Sequence, residues 1–173
     1  MNSNPNDDIH VERRGIEIEY TTSRSEILKR IELRQQIVSV TLTLAGIFMG
    51  VGLTTESVAL IYPPLATFLA FAWAQNDFRI RDLAKYIRDK LESRMPGLGY
   101  ETYVQQNRAE KSGGLSSWRF VVLSHGGIFL FTQLMAIGIE LSKFTFSPLE
   151  WALIGVDLIS VLVVIWLISK SGR

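Results

Sequence analysis

Apolar residues along this chain gather into four stretches, Ile37–Leu53, Val58–Ala74, Phe120–Ile139 and Trp151–Ile168, each 17 to 20 residues long. Asp157 is the one formal charge inside any of them. A helix needs about 20 apolar residues to cross roughly 30 Å of hydrocarbon. None of the four carries the polar face that a helix on a water-soluble core requires. The pattern predicts an all-α fold, an integral membrane four-helix bundle built from two helical hairpins.

The intervening segments predict how the bundle is punctuated. Ser23-Arg24-Ser25-Glu26 has capping-box spacing, and Ile27, Leu28, Ile31 and Val38 follow at helical intervals, so the first helix is expected to begin near Ser23. After the second stretch, Ile80, Leu83, Ala84, Ile87 and Leu91 continue an apolar stripe until Met95-Pro96-Gly97 breaks it. These extensions of the first two spans should face each other as a cytoplasmic stalk of about four turns. Ser147-Pro148-Leu149-Glu150 sets a cap, a first-turn proline and a glutamate three after the cap. Residues 1–22 read as a mobile cytoplasmic tail, 23–101 as the first hairpin with its stalk, 102–117 as a flexible loop, and 118–173 as the second hairpin. The opening residues lack the apolar core of a signal peptide.

Charge fixes the expected orientation. Seventeen of the 18 Lys and Arg residues fall before the first span, between the second and third, or after the fourth; Lys143 is the exception. Both termini and the central loop are therefore expected in the cytoplasm of a bacterial cell, with the chain in the inner membrane. Trp73, Trp118 and Trp166 should mark the inner boundary and Trp151 the outer one. Against those 18 basic residues stand 17 acidic ones, a balance that argues against direct, sequence-specific nucleic-acid binding. The chain has no cysteine and two histidines, which excludes thiolate chemistry and an HExxH metal site. No cofactor is implied. Gly97-Leu98-Gly99 follows a helix and lacks the Lys-Ser/Thr of a phosphate loop.

A few residues carry the candidate chemistry. An intramembrane carboxylate is costly and faces a partner, the bundle interior or water. Asp157 either bonds to Gln133 or carries a proton that holds the second hairpin together, or it lines a cation-favouring pore in an oligomer. Glu56, Glu140 and Glu150 near the outer mouths would suit cation access. His125, before the pair Gly126 and Gly127, reads as a hydrogen-bonded neutral histidine at a close helix contact or as a pH-sensitive gate. Gly46 and Gly50 form a GxxxG pair for helix packing within the chain or between copies. Pro63 and Pro64 are expected to kink the second span and to offer a hinge. Arg79, Arg81, Lys85, Arg88 and Arg94 line the stalk, as a solvated face laced with ion pairs or as a contact for a partner or for lipid headgroups.

The run RIELRQQIVSVTLTLAGIF, followed by ALIYPPLATFLAFAWAQNDFRIRDLAKYIRDKLE and PGLGYE, resembles a group of small, uncharacterised bacterial four-span membrane proteins over roughly Glu26 to Glu101. In overall plan the chain is also similar to the membrane effectors of anti-phage systems, such as those associated with prokaryotic Argonautes and retrons. That likeness implies an oligomer that permeabilises or depolarises the membrane when a cytoplasmic protein or nucleoprotein triggers it; no site residue carries over from it. A non-conducting membrane anchor or scaffold is the competing expectation. An enzyme is disfavoured, because no nucleophile–base pair or metal cluster is present, and a transporter would show more spans and repeat-related broken helices.

Overall fold

The computed structural model describes residues 5–55, 57–110, 117–143 and 147–171, with side chains over 10–55, 57–107, 126–143 and 147–170. The chain is 89% helical, with five helices and no strand among the described residues. Helix α1 spans Pro5–Gly52, α2 Tyr62–Tyr86, α3 Tyr100–Glu110, α4 Ser117–Leu141 and α5 Pro148–Ser171. A 3₁₀ turn at Ala59–Ile61 precedes α2, and a π-helical stretch at Ile87–Glu92 prolongs it.

The start expected at Ser23 is corrected. One helix of 48 residues, about 72 Å at 1.5 Å per residue, runs from Pro5 to Gly52, and Ser23 is buried in its middle. Burial beyond the capping box explains this. Ile16 packs with Ile27, Ile87 and Leu91, and Tyr20 lies against the same cluster, so residues expected as a tail have a hydrophobic partner. The stalk is otherwise as the stripes require, with Ile80, Leu83 and Ala84 of α2 joining that cluster. Leu28 and Ile31, on the same heptad, stay exposed.

The stalk ends where proline and glycine were expected to end it. Gly97 takes φ of +101°, a left-handed conformation that glycine adopts without steric cost. The flexible loop expected from residue 102 is helical instead over 100–110. Its first turn is capped by Glu92, which accepts the N–H groups of Glu101 (2.7 Å) and Thr102 (3.0 Å) and the Thr102 hydroxyl (2.7 Å). Arg24 of α1 pairs with Glu101 and stacks on Tyr100 at 4.3 Å, tying α3 to the stalk.

Two further cores lie beyond the stalk. Val38, Ala70, Trp73, Ala74, Phe129, Val164 and Leu167 form one, and Ala45, Tyr62, Ala66 and Ala136 the other. Trp73, expected at the inner boundary, is buried in the first of these: it is 3% exposed, with its ring 6.3 Å from that of Phe129. Trp151 and Trp166 are exposed. Two helices are long and apolar enough to cross a membrane, α1 over His10–Gly52 and α5 over Pro148–Lys170, and a shorter apolar helix covers Gly126–Leu141. The outward faces are apolar on four helices. Leu42 and Ile47 of α1, Phe68 of α2, Phe131 and Leu134 of α4, and Ile159 and Leu162 of α5 are half or more exposed.

Candidate functional site

A buried polar layer crosses these four helices. Tyr62 of α2 donates its hydroxyl to Thr132 of α4 (2.8 Å) and lies 3.5 Å from the Thr41 carbonyl of α1. Gln133 of α4 donates its Nε2 to the Pro63 carbonyl (3.2 Å) and to Thr67 Oγ1 (3.0 Å). Thr67 in turn donates to the Pro63 carbonyl (3.0 Å) and approaches the Ser160 carbonyl of α5 (3.4 Å). Ser160 donates its hydroxyl to Val156 (3.0 Å), and Thr132 to Ile128 (2.8 Å). Every hydroxyl and amide hydrogen in the layer is thus committed to another oxygen.

Asp157 stands at this level. Helices α2 and α5 run parallel in a fixed register, with Ser57 against Glu150, Thr67 against Ser160, and Ala74 in the same core as Leu167. That register sets Asp157 at the height of Pro63 and Pro64. Proline has no backbone N–H, so the neighbouring helix is poor in donors at this point. Asp157 is fully buried, and among the described residues neither of its carboxylate oxygens has a hydrogen-bond partner. Gln133 Oε1, also buried, lacks one too. The Gln133–Asp157 hydrogen bond weighed from the sequence does not form. Three buried acceptor oxygens are left without a donor, where native interiors pair nearly all such atoms.

The end of the bundle away from the stalk is closed by acids that are fully used. Ser57, a non-glycine residue at φ +64°, donates its N–H to Glu140 (3.1 Å) and its hydroxyl to Glu150 (2.9 Å). Glu140 also pairs with Lys143 (2.9 Å), which donates to the Thr55 carbonyl (2.9 Å). Glu150 accepts the Ser147 N–H while its own N–H bonds to Ser147 Oγ, the capping box read from the sequence. Glu140 and Glu150 are buried brackets around a strained turn, and the sequence expectation of open acidic mouths is corrected for both. Glu56 lies outside the described residues.

At the stalk end Asp77 is the buried anchor. Arg34 of α1 reaches it at 2.9 Å and Arg81 at 3.2 Å, and the Arg34 guanidinium lies 6.0 Å from the Trp73 ring. Sequence reasoning missed Asp77, although it is the first acid past the apolar stretch and stands four residues before Arg81. It also missed the Tyr62–Thr132 and Thr67–Gln133 bonds, because hydroxyls in an apolar stretch have no distinctive spacing.

The remaining candidates separate as follows. Pro63 and Pro64 stand in the first turn of α2, after the 3₁₀ turn, where a missing N–H costs nothing; the mid-helix kink expected for a hinge is absent. Gly46 and Gly50 are exposed, and a Cβ on either would meet no atom within 4 Å, so they pack against no other element among the described residues. Gly126 does mark a close contact: a Cβ there would stand 2.6 Å from Ile168, whereas Gly127 has space. Gly52, unremarked in the sequence, is also close-packed: an added Cβ would stand 2.7 Å from the Ala59 Cβ and 3.1 Å from its backbone N. His125 is helical in α4, with its side chain outside those described; the same holds for Trp118. Arg81 is bound to Asp77 and Arg88 to Asp89 (2.7 Å), while Arg79, Lys85 and Arg94 are exposed.

Glu92 is a buried titratable group of the stalk with a clear perturbation. Burial pushes its carboxyl up, but the Thr102 hydroxyl, the N–H groups of Glu101 and Thr102, and nearby Arg88 outweigh burial and hold it below the ordinary value of 4.5. Comparison with known protein families, with characterised proteins and with solved structures finds no match.

Proposed function

We propose that this chain is a four-span protein of the bacterial cytoplasmic membrane, with both termini inside, that lets cations across when its bundle opens. The observation that carries this reading is Asp157. A fully buried carboxylate without a donor costs several kcal/mol if ionised, unless a proton or a cation accompanies it. As the one formal charge within the apolar stretch of α5, it is a functional group by default, and Gln133 Oε1 supplies a second acceptor at the same height. The exposed apolar faces on four helices support membrane insertion, since lipid would cover what water would not.

In the closed form Asp157 is sealed from solvent, and the brackets around Ser57 shut the outer end. Opening requires the helices to part along the polar layer. We assign the trigger to the cytoplasmic head, formed by the stalk and α3, where a protein or nucleoprotein partner would bind. Such a partner opens the bundle only by binding the open arrangement more tightly than the closed one. The exposed Gly46 and Gly50 offer a face for self-association, which a pore wider than one thin bundle needs. Depolarisation of this kind is the action implied by the likeness to anti-phage effectors.

The test is ion flux in vesicles holding the purified protein. Cation release by the native chain, reduced or altered in ion preference by Asp157→Asn with insertion intact, is the expected result. Partner binding without flux would leave a non-conducting anchor.

A further inference from the structure

Between α2 and α5, at the cytoplasmic end of the bundle, lies a groove of 590 Å³ lined by Phe71, Phe78, Arg79, Asp82, Trp166 and Lys170. The α2 residues stand at i, i+7, i+8 and i+11, one face of one helix. Along that face the chemistry changes in order. Phe71, 43% exposed, and the exposed Trp166 line the part nearer the membrane interior. Arg79 and Lys170 follow at the boundary, with the Lys170 ammonium 4.9 Å from the Trp166 ring. Asp82 stands one turn beyond Arg79, about 4.5 Å further toward the cytoplasm. Arg79 and Asp82 are exposed, and neither makes an ion pair or hydrogen bond among the described residues.

Apolar wall, paired cations and then one carboxylate is the order of groups along a phospholipid whose headgroup ends in a primary amine. We infer that the groove holds one such lipid of the cytoplasmic leaflet. Its phosphate sits between Arg79 and Lys170, its ammonium meets Asp82, and an acyl chain lies along Phe71, Phe78 and Trp166. The headgroup chemistry discriminates. A choline headgroup has no N–H to donate to Asp82, and a glycerol headgroup brings no cation to offset it. Because α2 and α5 both contribute, the lipid bridges the two helices at the end opposite the Ser57 brackets. The inference rests on the membrane placement proposed above.

The test is quenching of tryptophan fluorescence by phospholipids with brominated chains, in vesicles holding the full chain, after flotation has shown that the chain is membrane-bound. The Trp166 signal is the difference between the native chain and Trp166→Phe. We expect brominated ethanolamine lipid in a choline-lipid background to quench that signal with about fivefold selectivity over the reverse mixture, as one or two partly exposed ion pairs allow. Arg79→Gln with Lys170→Gln should remove the selectivity, and Asp82→Asn should equalise ethanolamine and glycerol headgroups. Equal quenching by all headgroups, or a preference that these variants leave unchanged, would overturn the lipid site alone. A chain that fails to float with vesicles would overturn the membrane placement and this inference together.

Discussion

At the stalk end of the bundle Asp77 receives Arg34 at 2.9 Å and Arg81 at 3.2 Å; toward the opposite end Asp157, equally sealed from solvent, receives no donor among the described residues. The two residues share a type and a burial. They differ in what the surrounding helices offer. Asp77 stands where α1 and α2 leave the apolar stretch and long basic side chains fold back onto it. Asp157 stands beside a proline pair and hydroxyls whose hydrogens are already committed. The first is an anchor, since the Arg34 guanidinium ties α1 to α2 while Arg81 braces the carboxylate from within α2. The second is left with two buried oxygens that no described donor meets, which is why the proposed cation path is placed there.

The largest expected effect is at the anchor. Asp77→Ala strands Arg34, which is 12% exposed, and should cost about 3–5 kcal/mol of stability in detergent unfolding. Next comes the support of the polar layer. Gln133→Leu removes the donors to the Pro63 carbonyl and Thr67 and should cost about 1–3 kcal/mol in the same measurement. Asp157→Asn should act in the opposite direction. It removes the charge that burial penalises, so the closed bundle should gain about 1 kcal/mol. A loss there as large as that of Asp77→Ala would mean that Asp157 has a partner after all.

Smaller effects sharpen the contrast by testing regions that neither aspartate touches. Glu92 has its carboxyl held below 4.5, so its support of α3 is complete above that pH and is lost as pH falls through the lower, folded value. Hydrogen exchange at the first turn of α3 should rise in that acid range and not above it, and Glu92→Gln should abolish the dependence. The smallest effect on the fold is expected for Gly46→Leu with Gly50→Leu, because no atom lies within 4 Å of either added Cβ. Unfolding should be unchanged, and only association between copies, read by crosslinking in membranes, should fall.

The hydrophobic pattern made the architecture legible because apolar periodicity reports burial directly. Helices α2, α4 and α5, the stalk stripe and the Ser147 capping box all follow from it. It failed where long-range contacts decide. Ile16 and Tyr20 extend α1 by meeting Ile87 and Leu91, and Glu92 makes a helix of the segment after Gly99 by capping it from outside. Asp157 stood out in the sequence as a lone charge, yet its lack of a partner depends on which hydrogens Thr67, Ser160 and Gln133 had already committed. The proline pair misled for a related reason, since the 3₁₀ turn ahead of it moved the helix start.

The most direct measurement follows membrane potential with a voltage-sensitive dye in cells that overexpress the chain. The native protein should depolarise them. Asp157→Asn, at equal membrane abundance, should depolarise them much less or with a changed dependence on the external cation. Depolarisation identical in rate and ion dependence for the two proteins, or a membrane that stays polarised with either, would contradict a cation path through Asp157.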